Sequence, residues 1–105
     1  MIMELDRIFD ALASRPRRQM LAFLSQTALT TSDLAARFPM SAPAISRHLS
    51  VLEHAGLVAG ERQGQRVLYR LNRDVLLNAL SRLASEVDGP LRREPQTSRT
   101  PREAI

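Results

Sequence analysis

The chain contains no cysteine and no tryptophan. Without thiols it can form no disulfide, run no cysteine redox switch and offer no thiolate to a metal. Lysine is missing too, so all fifteen basic residues are arginine. Arginine stays charged far above the lysine range, so the sequence pI of about 11.2 overstates how basic the chain is near neutrality. Three phenylalanines and one tyrosine are the only aromatics, which leaves an aliphatic core. No stretch approaches the roughly 18 apolar residues of a membrane span. The first residues lack the basic-then-apolar order of a secretion signal, so the expected compartment is the cytoplasm, with no membrane partner. There is no glycine-rich phosphate loop, no paired-carboxylate pattern and no thiol nucleophile; the chain does not read as an enzyme.

What is present is a 105-residue chain with 44% hydrophobic residues, enough for one globular domain with a modest core that is marginal as a monomer. The most strongly marked stretch runs from Met40 to Leu57. Ser41 is a good N-cap, Pro43 falls in the first turn, and Met40 and Ile45 have the spacing of a hydrophobic staple. Gly56 supplies a left-handed residue to end the helix. Ile45, Leu49 and Leu52 recur at i, i+4, i+7, one buried face. The opposite face carries Pro43, Arg47, Ser50 and His54, with Ser46 at its edge. A helix anchored on one side, with small polar residues and an arginine on the other, suits a DNA major groove. From Arg37 to Arg73 six arginines stand against Glu53 and Glu61, so a polyanionic partner fits the middle of the chain.

Taken in order, Met3 to Ala13 reads as an amphipathic helix with Leu5, Ile8, Phe9 and Leu12 inside and an acidic first turn. Pro16 opens a second helix with Met20, Leu21 and Leu24 facing inward. Residues 26–30 read as a loop. Thr30 or Thr31 caps a short third helix with Leu34, Ala35 and Phe38 buried. The 41–54 helix follows at the short-turn spacing of a helix-turn-helix. After Gly56 the period changes to two: residues 57–62 and 66–71 are strand candidates joined at Gln63-Gly64-Gln65. Asn72 or Arg73 leads into a last helix with Leu76, Leu80, Leu83 and Val87 on one stripe, widened by Val75, Leu77 and Ala79. Residues 89–105, rich in proline and arginine, are expected to be a disordered tail after a 1–88 domain. The fold class expected is mainly α (α+β): a winged helix-turn-helix of about five helices with a two-stranded β-wing.

Several of these segments resemble the ArsR-type family of bacterial repressors. Ala13-Ser-Arg-Pro-Arg-Arg-Gln-Met-Leu-Ala-Phe-Leu24 is similar to that family's Ala-x-x-Pro-x-Arg-x-x-Ile-Leu segment. Phe38-Pro-Met-Ser-Ala-Pro-Ala-Ile-Ser-Arg-His-Leu-Ser-Val-Leu-Glu-His-Ala-Gly-Leu-Val58 is similar to its recognition helix, and Gln63-Gly-Gln-Arg-Val-Leu-Tyr-Arg-Leu71 to its wing. The resemblance spans about residues 5 to 87. It is nearest to small metal-independent members, autorepressors among them. Metal-sensing members carry a cysteine pattern at the start of the third helix, where this chain has Leu29-Thr-Thr-Ser-Asp-Leu34. Others bind zinc through Asp and His on the last helix, and residues 74–86 hold no histidine. No metal and no cofactor is therefore expected. The family's usual Asp before the second-helix proline is Arg15 here, which leaves that cap weaker or supplied by Ser14.

The DNA-binding set expected is Ser41, Ala42, Pro43, Ala44, Ser46, Arg47 and Ser50 on the helix, with Arg62, Gln63, Gln65 and Arg66 on the wing. A solvated helix face and a solvated hairpin tip are the bland readings of the same residues. His48, next to the buried stripe, reads as a packing or backbone-bonding histidine, and His54 as merely exposed. Leu5, Ile8, Phe9, Leu76, Leu80 and Leu83 offer more apolar surface than a short isolated domain needs, and mark a dimer interface. The function expected is a homodimeric repressor on an inverted-repeat operator of double-stranded DNA. A winged-helix protein-interaction module and a sensor of an organic effector are the competing readings.

Overall fold

The computed structural model describes residues 4–88. Five helices and three strands follow in the order α1 (Glu4–Leu12), α2 (Arg15–Leu24), β1 (Leu29–Thr30), α3 (Thr31–Ala35), α4 (Ala42–His54), β2 (Val58–Gln63), β3 (Arg66–Leu71) and α5 (Arg73–Asp88). This is the expected winged helix-turn-helix with one addition. Leu29 and Thr30, read from sequence as loop, pair antiparallel with Tyr69 and Leu68, so the wing hairpin is extended to a sheet of order β1-β3-β2. The expected residues 89–105 tail lies outside the described residues.

Helix boundaries follow from local chemistry. Ser14 caps α2 by accepting from the Arg17 N–H at 3.4 Å, so the unusual Arg15 leaves the cap in place. Thr30, rather than Thr31, caps α3 in a reciprocal pair: Asp33 N–H donates to Thr30 Oγ1 at 3.1 Å and Thr30 N–H to Asp33 Oδ2 at 3.0 Å. Those bonds hold the Asp33 carboxyl below its ordinary pKa, the backbone N–H of Thr30 being the largest cause. At the far end of α4, Gly56 takes φ 80°, its N–H donates to the Glu53 carbonyl, and the Leu57 N–H reaches back to Leu52, both at 2.9 Å. That double bond pattern is a Schellman stop. It swings Leu57 into the core, where it is fully buried.

The core is aliphatic, as the composition demands: Ile8, Met20, Leu21, Leu24, Leu34, Ile45, Leu49, Leu52, Leu57 and Val58 close around Ala11, Ala55 and Ala79. Leu34 is buried, whereas Ala35 and Phe38 are only half-buried against the core. Two assignments change. Ile8, expected at a dimer seam, is buried with Ala11 inside the chain, because α1 folds onto α2 and α4. The stripe expected on α5 is split: Val75, Leu76 and Ala79 turn inward, while Leu80, Leu83 and Val87 stay exposed. Periodicity shows that a face is apolar; it does not say which neighbour takes it.

Candidate nucleic-acid interface

Each residue of the expected α4 set is placed by the burial of its opposite side. Ile45, Leu49 and Leu52 are fully buried. At about 100° per residue their burial turns Pro43, Arg47, Ser50 and His54 outward, with Ser46 beside them. Ser41, Ala42, Pro43, Ser46, Arg47 and Ser50 are exposed and Ala44 is half-buried. Ser41 Oγ accepts the Ala44 N–H at 3.3 Å. The N-terminal turn of α4 therefore presents small side chains, and its capped end is the one a helix dipole makes attractive to phosphate.

The wing set sits on one hairpin. Gln63 pairs with Arg66 and Arg62 with Val67, so the loop is only Gly64-Gln65, one residue shorter than expected, with Gly64 at φ 65°. Strand alternation puts Gln63 and Arg66 on one face and Arg62 on the other, the side that carries Tyr69 and Leu71 towards the core. Gly60, which the sequence reading passed over, makes this packing possible. A Cβ there would stand 2.9 Å from Val67 Cγ1 and 3.0 Å from Tyr69 Cε1. Arg66 also flanks a small cleft of about 170 Å³ with Thr30, Thr31 and Ser32 at the start of α3.

Hydrogen bonding sorts the arginines. Arg17 and Arg18 donate to carbonyls that end α1, Arg37 to the Asp33 carbonyl and Arg73 to the Ser25 carbonyl. Arg70 lies 3.7 Å from Glu61. Arg47, Arg62 and Arg66 are exposed and make no hydrogen bond or ion pair among the described residues. They are cations with donors to spare, and they fall on the two elements expected to meet DNA. Arg7, Arg15 and Arg82 are likewise free, on α1, α2 and α5.

His48 is half-buried, as expected of a histidine beside the core stripe, and its Nδ1 lies 3.2 Å from Arg17 Nη1. Burial, then Arg17, then Arg47 lower its pKa. His54 is exposed. Among the described residues no three His, Cys, Asp or Glu side chains group as metal ligands would. No helix there is long and apolar enough to cross a membrane. Sequence reasoning missed Arg17 and Asn72 as organisers. Asn72 Nδ2 donates to the Gly56 carbonyl at 2.8 Å and its N–H to the Leu57 carbonyl at 2.9 Å, tying the end of α4 to the start of α5.

Known proteins resemble this chain in sequence and fold. A family model described as "Bacterial regulatory protein, arsR family" matches residues 14–59, from the cap of α2 to the start of β2. The transcriptional repressor SdpR of Bacillus subtilis (strain 168) is 34% identical over 77 residues, which cover 73% of this chain and 86% of SdpR. Among solved structures, the ArsR family transcriptional regulator RHA00566 superposes with a TM-score of 0.78 at 28% identity, covering 88% of this chain and 94% of the other. The homodimeric winged helix-turn-helix DNA-binding domain Mb0332 of Mycobacterium bovis gives 0.67 at 26% identity, covering 89% and 87%. With the α4 face and wing described above, these similarities establish that the chain belongs to the arsR family of bacterial regulatory proteins: it is a DNA-binding transcriptional regulator, not an enzyme.

Proposed function

We propose that the chain is a cytoplasmic, homodimeric, sequence-specific repressor whose operator is an imperfect inverted repeat. The observation that carries the reading is the division of α4: one face fully buried, the other exposed, with Arg47 making no hydrogen bond or ion pair among the described residues. A free guanidinium beside small hydroxyls can bond guanine in the major groove, while Arg62, Gln63, Gln65 and Arg66 grip the backbone from the wing. Ser41 adds a phosphate contact through the helix N-terminus. Neither an apolar nor an acidic outer face is present on α4, which counts against a protein-interaction module.

Dimerisation is supported by α5, where Leu77, Leu80 and Leu83 are exposed, and by α1, where Leu5 and Phe9 are half-buried. Leu76, Leu77 and Leu80 line an apolar groove of about 390 Å³ against Leu12, Leu21 and Leu71. A second copy is the occupant we assign to it, in keeping with the homodimeric relative. The absence of cysteine and of any described ligand cluster supports a metal-independent regulator, so neither Zn²⁺ nor arsenite is expected to change operator affinity. Footprinting on the DNA immediately upstream of the coding sequence tests the whole reading. Two protected half-sites about one helical turn apart are expected. Protection that is uniform, or none, would refute it.

A further inference from the structure

Arg17 stands at a corner that the DNA-facing residues do not account for. Its Nε donates to the Ala11 carbonyl at 2.7 Å and its Nη2 to the Asp10 carbonyl at 3.3 Å, closing the end of α1. The remaining arm, Nη1, reaches His48 Nδ1 on α4 at 3.2 Å. One side chain of α2 thus joins the last carbonyls of α1 to the helix assigned to the major groove. A guanidinium has only donors, so His48 Nδ1 must accept. That fixes the ring hydrogen on Nε2 and requires a neutral ring.

We propose that Arg17 is a positioning residue for α4, holding it to the end of α1 through a contact that exists only while the His48 imidazole is neutral, so that operator recognition falls on acidification. The inference rests on the DNA reading of α4. Protonation would turn Nδ1 into a donor facing a donor and set two cations 3.2 Å apart. The elements packed most closely on α4 are α1, α2, α3 and β2. The charged groups that act on His48 are Arg17 of α2 and, from its own helix, Arg47, and both disfavour a second cation there. Burial and these cations hold its pKa below the ordinary histidine value. The stabilising contact is therefore complete above that ordinary value and is lost as pH falls through the lowered one. Because α1 also carries Leu5 and Phe9 of the proposed seam, the same corner links the dimer contact to the angle of α4.

A charged His48 attracts any duplex, so the informative quantity is the ratio of affinities for the upstream fragment and a random duplex. For the wild type this ratio should fall about tenfold between about pH 8 and pH 5. His48→Gln keeps an acceptor and cannot titrate; it should bind at neutral pH much as the wild type does, with a flat profile. Arg17→Ala should lower the ratio at neutral pH several-fold and flatten the profile as well, while circular dichroism reports whether it is folded. Identical pH profiles for the wild type and His48→Gln would overturn the proposal, whether or not Arg17→Ala folds. So would a folded Arg17→Ala with the wild-type ratio and profile. Failure of the wild type to prefer the upstream fragment at any pH would remove the DNA reading, and this proposal with it.

Discussion

Helices α4 and α5 both carry apolar stripes at helical spacing, yet they spend them differently. In α4, Ile45, Leu49 and Leu52 are completely buried by neighbours in the same chain. In α5 only Ala79 is buried, and Leu77, Leu80, Leu83 and Val87 remain 53, 45, 41 and 78% exposed. Apolar surface left in contiguous array marks an interaction site. The difference separates two kinds of stability. What α4 buries is fixed among the described residues of one copy, which leaves a polar face free for the proposed DNA contact; what α5 exposes is covered by no other described residue, which fits the proposed dimer.

Substitutions sharpen that contrast. Leu49→Ala should cost about 2–5 kcal/mol by removing buried methyl groups and leaving a cavity. Its effect on urea unfolding should not depend on protein concentration beyond the dependence the wild type shows. Leu80→Glu should act through association instead. A carboxylate at the proposed seam would weaken dimerisation by at least about two orders of magnitude, and sedimentation would report monomers. If wild-type protein already sediments as a monomer at micromolar concentration, the comparison fails at its α5 end.

How legible this contrast was depends on how far the determining interactions reach. The ends of α4 were readable because Ser41, Pro43 and Gly56 act on backbone within a few residues. The hairpin was readable from the alternation of Val67, Tyr69 and Leu71. The Leu29–Thr30 strand was not, since it is held by Leu68 and Tyr69, far along the chain. Ile8 and the inward turn of Ala79 were hidden for a related reason. Amphipathic spacing gives a direction on one helix, whereas the choice between core and seam depends on where other helices lie. Of the site, the outward direction of Arg47 followed from the stripe opposite it. The corner at Arg17 did not, because nothing in the spacing of residues 17 and 48 announces their contact.

Smaller effects test the mounting rather than the two faces. Arg47→Ala should leave folding intact and lose on the order of 1–3 kcal/mol on the operator, with weaker discrimination at one position per half-site; a mutant that stays folded and binds unchanged would clear this face of any role. Thr30→Ala should cost about 1 kcal/mol through the α3 cap. It should also remove part of the acid sensitivity of unfolding. Asp33 has a lowered pKa, so its contribution is present above the ordinary carboxylate value and is lost as pH falls through the lowered one. Thermal unfolding followed from neutral pH downward measures both.

The smallest effect is expected at Arg66. Its guanidinium is exposed at the hairpin, makes no hydrogen bond or ion pair among the described residues, and shares its strand face with Gln63, across from Arg62. A cation so placed can meet the phosphate backbone without reading a base, so its loss removes one counterion-releasing contact. Arg66→Ala should weaken operator and random duplex by the same factor and reduce the slope of log affinity against log salt by about 1. The Arg47→Ala signature differs in kind, because there the operator suffers more than random DNA. Should Arg66→Ala instead lower the operator-to-random ratio, the wing would be reading sequence, and the division of labour between α4 and the hairpin would have to be redrawn.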